Sequence, residues 1–349
     1  MIPLLLSSLY LLVCFLLPFY GDLSEEILTR RSIAVSQYIL RRIFFMIPTA
    51  LLVCFFAFMV IHLVPGDPAR VLLGEEATPE SVAALHQQLG LDKPLMQQFA
   101  IWFWQLLHGD LGQSIQLQQP VLGAILQRLP VTAELGIASL LFSLALAFPL
   151  GVYSATHRHS WIDWLGNVFT LLGTAIPNFV LGLVLILVFA VFMRIFPPGG
   201  YTSFAEDPVA NLRCLILPMI TLGVGSVAAN MRQIRANMIE VLSLDYIRTA
   251  RAKGLREHAI WYVHALRNAI IPVLTIIGVQ VGAILAGAVI VESIFLWPGV
   301  GQLVVDSIFS KDYPIIQGVV LFSALSYMLA NLCVDIGYVL LDPRIRFEK

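Results

Sequence analysis

The sequence predicts an all-α polytopic membrane protein. Of its 349 residues, 58% are hydrophobic and only 12% are charged, and the mean hydropathy is +0.85. A soluble domain of this size normally carries about 25% charged residues. Apolar stretches long enough to cross about 30 Å of hydrocarbon recur along the chain. These observations exclude an ordinary soluble domain.

Six core transmembrane helices are expected from these stretches. They run over Ile43–Val64, Leu135–Ala155, Val168–Phe196, Leu215–Met231, Ile270–Val291 and Ile315–Leu341. The fourth is predicted to be short and interrupted, because it contains Gly223 and Gly225. The third to fifth stretches contain prolines and glycines, which permit kinks and close approach of helices. These stretches could line a transport path, or the glycines could serve only ordinary helix packing. The residues are Pro177, Pro218, Pro272, Gly223, Gly225, Gly278, Gly282 and Gly287.

The amino-terminal region, residues 1–34, is an apolar extension or a possible extra helix. Met1–Tyr20 is almost wholly apolar, but no basic residue precedes it and no small-x-small site follows, so it is a poor signal peptide. We expect either a dispensable extension or a native start near Val35.

The basic residues are distributed unequally between the two sides of the predicted spans. If the end before the first span is cytoplasmic, that side holds 15 of the 21 Lys and Arg residues. The positive-inside rule then places both ends of the core domain in the cytoplasm, together with the loop from 232 to 268.

An outer segment, residues 65–131, carries its own helix signals. Thr78 and Pro79 begin one short helix that ends at Gly90, and Pro94 begins a second that ends at Gly109. The second has apolar residues at helical spacing, namely Met96, Phe99, Trp102, Phe103, Leu106 and Leu107. It is expected to lie on the membrane or pack on the spans, and binding of a soluble partner is the alternative.

No catalytic, cofactor-binding or metal-binding residue is predicted. The chain has no phosphate-binding Gly-x-x-x-x-Gly-Lys-Ser/Thr loop, no Gly-x-Ser-x-Gly elbow and no His-Glu-x-x-His helix. The four cysteines fall in or beside apolar segments, and His157-Arg158-His159 is interpreted as a solvated turn. No nucleic-acid partner is expected.

A short basic helix is predicted between the fourth and fifth spans, over Leu244–Gly254. Ser243 or Asp245 could cap its first turn, and Gly254 could close it in the left-handed conformation. One face would carry an aromatic residue, small residues and a cation, which suits docking into a groove of another protein; these residues are Tyr246, Thr249, Ala250 and Lys253.

This segment resembles the cytoplasmic Glu-Ala-Ala loop of ABC importer permeases, with Arg248-Thr249-Ala250 at the corresponding place. The sequence from Tyr246 to Leu255, followed by His264–Pro272, is similar to the dipeptide, oligopeptide and nickel branch. Four further motifs of that branch occur in order, and the resemblance covers residues 35–349; the motifs are Pro65–Ala69, Gln88–Pro94, Trp297–Gly301 and Asp342–Arg346.

The resemblance implies a permease of the bacterial inner membrane. Its partners would be a second homologous permease in a heterodimer, two ATPase subunits, a periplasmic binding protein and the lipid bilayer, with ATP and Mg held by the ATPases. The short helix would contact an ATPase as the coupling helix, through Tyr246, Arg248, Thr249, Ala250, Lys253, Gly254 and Leu255. The outer segment and the Trp297–Gly301 turn would receive the binding protein, or the short helices of that segment would brace the pair of permeases. The residues of the substrate path are not predicted.

Several functions remain open at this point. A short peptide is the expected solute, and nickel or another small solute is the alternative within the family. An ion-coupled secondary carrier would need no ATP, and its coupling residues would include Glu134, Glu292 or Asp335. These three, with His62 and Arg194, are the ionisable residues near span ends, and a structural role is the alternative for each. A membrane enzyme is the third possibility, but no nucleophile supports it.

Overall fold

The computed structural model describes residues 25–63, 78–89 and 92–341. Its helices, in chain order, are α1 (Glu25–Leu63), α2 (Pro79–Leu89), α3 (Leu95–Leu107), α4 (Val121–Thr156), α5 (Trp161–Ala175), α6 (Asn178–Leu185), α7 (Pro208–Leu242), α8 (Asp245–Ala252), α9 (Glu257–Ala259), α10 (Leu266–Ile294), α11 (Val300–Phe309) and α12 (Tyr313–Leu341). π-Helical turns extend α6 over Ile186–Phe192 and join α9 to α10 over Ile260–Ala265. These described ranges contain helices and no β-strand, which confirms the predicted all-α class.

Five of the six predicted spans coincide with long helices. Within the described ranges, four helices are long and apolar enough to cross a membrane, and α5 with α6 makes a fifth if the bent pair is one span; the four are Leu40–Met59, Val121–Thr156, Pro208–Leu242 and Tyr313–Val334. Helix α10, of 29 residues, covers the predicted fifth span. The expectation of many apolar helices is therefore confirmed, although their lengths differ from the prediction.

The third predicted span is not one straight helix. Helices α5 and α6 meet at Ile176 and Pro177 with a bend of 103°. Pro177 has no N–H and also disfavours helical geometry at the residue before it, so α5 must end there. The kink permitted by Pro177 is thus present, whereas Pro218 and Pro272 lie inside continuous helices.

The fourth span was predicted to be short and interrupted, and this prediction is wrong. Helix α7 is continuous over 35 residues, and Asp207 begins it by accepting hydrogen bonds from the amides of Val209 and Ala210, each at 3.0 Å. Gly223 does not break the helix, because its missing side chain makes room for Phe142 of α4. The glycine is a close-packing site rather than a hinge.

Helix α7 lies at the centre of the bundle, where it packs on α4, α5, α6 and α10. The largest apolar cluster joins α4, α7, α8 and α10 through buried side chains such as Val152, Val227, Ile234, Ile247 and Val273. Helix α12 packs on α1, α10 and α11. The short helix α8 is therefore attached directly to the core of the spans.

The two short helices of the outer segment are present, as predicted. Helix α3 packs on α1, where the Phe99 ring lies 5.5 Å from that of Phe58 and Trp102 lies 5.8 Å from the same ring. Packing on a span, one of the two expected placements, is therefore confirmed for α3. Residues 1–24, most of the predicted extension, lie outside the described residues, as do the motifs at Pro65–Ala69 and Asp342–Arg346.

Candidate functional site

Helix α8 begins without the predicted side-chain cap. Leu244 occupies the N-cap position, and the Ser243 hydroxyl donates backwards to the carbonyl oxygen of Glu240 at 2.6 Å. Asp245 lies inside the first turn, where its negative charge interacts favourably with the helix dipole. Its Oδ1 lies 3.2 Å from a guanidinium nitrogen of Arg248. The predicted capping by Ser243 or Asp245 is therefore wrong.

The carboxyl end of α8 closes as the sequence predicts. Gly254 has a φ of 77°, in the left-handed region. Its N–H donates to Arg251 O at 2.9 Å, and the N–H of Leu255 donates to Ala250 O at 3.3 Å. These two bonds form a Schellman motif, which satisfies the last carbonyls and ends the helix sharply.

The predicted common face of α8 is divided by the structure. Ile247 and Ala250 point into the core, and Ala250 is only 8% exposed. The other predicted contact residues are exposed to solvent; they are Tyr246, Arg248, Thr249, Lys253, Gly254 and Leu255. Ala250 therefore does not share an outward face with Tyr246, Thr249 and Lys253, because it is the small residue that lets α8 approach the bundle.

Polar contacts fix α8 to the start of α10. The Tyr246 hydroxyl donates to the carbonyl oxygen of His264 at 3.3 Å and accepts from the Asn268 amide at 2.8 Å. Sequence reasoning assigned Tyr246 only to an outward face. The structure shows that one end of its side chain also holds α8 against α10.

A second set of contacts joins α8 to α9 and α4. Arg251 Nε donates to Glu257 Oε1 at 2.8 Å, and Trp261 Nε1 donates to Glu257 Oε2 at 3.0 Å. The hydrogen bond from the Arg251 guanidinium holds the pKa of Glu257 below its usual value. The Trp261 ring meets His157 edge-on at 5.8 Å, and His157 stacks on Tyr153 of α4 at 4.2 Å. His157 is thus part of a contact chain rather than a free turn residue.

A partly buried ion pair that sequence reasoning missed lies beside this region. Arg235 of α7 donates to both carboxylate oxygens of Asp163, at 2.7 Å and 3.0 Å, and Ser154 of α4 donates to the same carboxylate at 2.6 Å. Arg235 was counted only as a cytoplasmic-side cation. The pair joins α4, α5 and α7 at the end of the bundle that carries α8.

A neutral polar cluster lies deeper among the spans. The fully buried Asn230 exchanges hydrogen bonds with Gln280 of α10, at 3.0 Å and 3.1 Å, and donates to Ser143 of α4 at 3.0 Å. The ionisable residues near span ends did not point to this cluster, because all of its members are neutral. An Asn, a Gln and a Ser within apolar runs were the available signal.

Two carboxylates near span ends accept hydrogen bonds from other residues of the chain. Glu134 accepts from Asn211 at 2.7 Å and from Tyr201 at 3.2 Å. Burial, and then the charge of Glu134, raise the pKa of the Tyr201 hydroxyl. Glu292 is fully buried and accepts from the Thr132 hydroxyl at 2.7 Å. The side chains of His62 and Asp335 lie outside the described residues.

The Trp297–Gly301 turn is not a surface loop. Trp297 is 0% exposed, and its indole N–H donates to Val131 O at 2.9 Å. Side chains at Gly299 or Gly301 would run into Glu292, so both glycines permit a close approach of the turn to that carboxylate. The predicted use of this turn as a docking surface is therefore wrong, because its residues are needed to close the bundle.

Together the bundle and the attached helix α8 define a class of protein: a multi-span helical membrane protein with a short, exposed helix held rigidly on its surface. Residues 147–347 match the family described as binding-protein-dependent transport system inner membrane component, and residues 35–136 match its amino-terminal model. The chain belongs to this family and is a multi-pass inner-membrane transport permease.

Relatives match over almost their full length. The dipeptide transport system permease protein DppB of Escherichia coli (strain K12) is 40% identical over 337 residues, which covers 90% of this chain and 99% of DppB. A Brucella abortus (strain 2308) protein named as a peptide transport system permease is 40% identical, covering 90% of this chain and all of that protein. The glutathione transport system permease protein GsiC of Salmonella paratyphi A is 40% identical, covering 89% and 99%.

Proposed function

We propose that this chain is the permease subunit of an ATP-driven importer of short peptides. The observation that carries this proposal is the full-length similarity to permeases whose names specify dipeptide, peptide and glutathione transport. A peptide is accordingly favoured over nickel. Family membership overturns the alternative of an ion-coupled secondary carrier, and the intrachain bonds of Glu134 and Glu292 agree with structural roles for both carboxylates.

In the proposed assembly, this chain pairs with a second homologous permease and rests on two ATPase subunits. The ATPases hold ATP and Mg and perform the hydrolysis, and this chain binds no cofactor. A periplasmic binding protein delivers the solute to the side of the outer segment, residues 65–131. The excess of basic residues on the α8 side supports a cytoplasmic location for α8 and for both ends of the core domain.

The proposed ATPase contact is the exposed part of α8, formed by Tyr246, Arg248, Thr249, Lys253, Gly254 and Leu255. Ala250, named with them from the sequence, is proposed to act from the inner side by seating the helix. ATP can drive transport only if its binding favours one arrangement of the spans over another. A helix joined to α4, α7 and α10 through the packed core can transmit such a preference.

Co-purification with the neighbouring subunits tests this proposal. The native chain is expressed with the genes beside its own, purified in mild detergent, and assayed for bound ATPase and for ATP hydrolysis. We expect the native chain to retain an ATPase. We expect the double variant Arg248→Glu with Lys253→Glu to lose it, because two exposed positive charges of the proposed contact become negative.

A matched control reverses two exposed cations on the opposite side of the bundle, Arg213→Glu with Lys311→Glu. This control is expected to retain the ATPase. Purification of the native chain alone, with solute uptake into liposomes in the absence of ATP, would overturn the proposal. Equal loss of ATPase from both double variants would overturn the assignment of the contact to α8.

A further inference from the structure

The break between α5 and α6 lies beside the middle of α7, a helix long and apolar enough to cross a membrane. Gly173, just before the break, packs on Ala228 of α7, and Gly182, four residues into α6, packs on Thr221. Between them, the backbone oxygen of Gly173 and the side-chain oxygen of Asn178 both approach Gly225, which is the central residue of α7. Helix α5 therefore packs on one side of the middle of α7 and α6 on the other.

The break leaves backbone polar groups without partners. Pro177 has no N–H to bond the carbonyl of Gly173, and within the described ranges nothing donates to the carbonyls of Gly173, Thr174 or Ala175. On the other side of the break, the amides of Asn178 and Phe179 have no acceptor in the described ranges, and the Asn178 side chain has no hydrogen-bond partner there. Several donors and acceptors are thus unpaired at the break.

These groups are also exposed on the surface of the chain. Thr174, Ala175, Ile176 and Pro177 are all exposed, and Ile176 is 39% accessible. An unsatisfied backbone group in hydrocarbon costs several kcal/mol, so irregular backbone at membrane depth occurs only where water or protein covers it. A lipid-facing location is therefore unfavourable for this surface.

The geometry points to the α5–α6 break as a wall of the water-filled path through which the solute crosses. This inference rests on the proposed function and adds to it the residues that line the path, from Thr174 to Asn178. Water satisfies every exposed carbonyl and amide at once, whereas a dry contact with the second permease would need a matched partner for each. The same donors and acceptors can exchange water for the peptide groups of a passing solute.

Gly225 contributes by leaving the break open. A methyl group there would make ordinary contact, at 3.6 Å from the oxygen of Gly173 and 3.9 Å from that of Asn178. Gly225→Ala should therefore be tolerated, whereas Gly225→Leu would cover the polar groups. We expect Gly225→Leu to reduce uptake sharply while the purified complex retains its ATPase.

Cysteine labelling tests the inference in the complete complex. The native cysteines are replaced, and single cysteines are placed at Ile176 or Asn178, with Leu183→Cys as the control because Leu183 is 55% exposed on the helical part of α6. Membranes containing the complex are treated with a charged, membrane-impermeant methanethiosulfonate. Because the thiolate is the reactive form and an apolar environment suppresses it, we expect labelling at least about tenfold faster at 176 and 178 than at 183.

Equal labelling rates at the three positions, whether fast or slow, would overturn the assignment of the break to the path. Slower labelling at 176 and 178 than at 183 would also overturn it and would place the break against protein. Retention of the ATPase is measured in the same preparations, so failure of this inference is distinguishable from failure of the importer proposal.

Discussion

The buried carboxylate of Glu292 accepts a hydrogen bond from the backbone N–H of Gln302 at 3.0 Å. Gln302 lies in the first turn of α11, where free amides and the helix dipole favour a negative group. Thr132 of α4 donates to the other carboxylate oxygen and accepts from the N–H of Val300. Glu292 thereby joins α10, α11 and α4.

Replacement of Glu292 by Ala should destabilise the protein. It leaves the amide of Gln302 without its acceptor in a buried site, which costs about 1–3 kcal/mol. We expect a lower Tm for the purified complex, with a smaller decrease for Glu292→Gln because its side-chain oxygen can still accept one bond. An unchanged Tm for Glu292→Ala would show that the carboxylate does not hold α11.

Replacement of Gly254 by Val should impair coupling without preventing insertion. No atom lies within 4 Å of the position that a Cβ would take at residue 254, so the substitution causes no steric clash. Its only cost is the strain of holding a β-branched residue in the left-handed conformation, which is about 1–3 kcal/mol. We expect uptake to fall sharply at a normal amount of membrane-inserted protein. Gly254→Asn is the matched control, because Asn tolerates this conformation. Normal transport by the Val variant would contradict the importance of this helix end.

The contribution of the ion pair between Arg251 and Glu257 should be measurable by swapping the two charges between these positions. We expect Arg251→Glu and Glu257→Arg to weaken ATPase retention singly and the combined exchange to restore part of it, as a direct pair requires. Additive losses would show that the two residues act separately.

The lowered pKa of Glu257 sets the sign of a pH effect. A depressed carboxyl pKa stabilises the folded state above the unfolded value of 4.5, and this contribution is lost as the pH falls through the folded pKa. The difference in Tm between the native chain and Glu257→Gln should therefore be constant around neutral pH and should shrink in acid. A difference that changes between pH values around neutrality would contradict this assignment.

The pair formed by Asn230 and Gln280 should show strong coupling between mutations. Gln280→Met alone leaves a buried amide of Asn230 without its partner, which is the costly case, whereas removal of both amides leaves fewer unpaired groups. We expect the double variant Asn230→Leu with Gln280→Met to have a higher Tm than an additive sum of the single effects gives. Strict additivity would show that the two amides do not depend on each other.

The sequence by itself determined the class of protein and a few helix ends. Hydropathy is a sum over neighbouring residues, so the long apolar runs predicted helices at the observed places. The left-handed turn at Gly254 and the helix starts at Pro79 and Pro94 depend on one or two residues, and they were also predicted correctly. The ordered motifs, including Arg248-Thr249-Ala250, pointed to the family.

Only the tertiary structure decided which polar residues meet. Asp163 and Arg235 are 72 positions apart, and Thr132 and Glu292 are 160 apart, so no local pattern joins them. Burial of Ala250 and Trp297 likewise depends on neighbouring helices, and the continuity of α7 through Gly223 depends on Phe142 of α4. Propensity describes a residue in its own helix, whereas packing and hydrogen bonding depend on what the fold places opposite it.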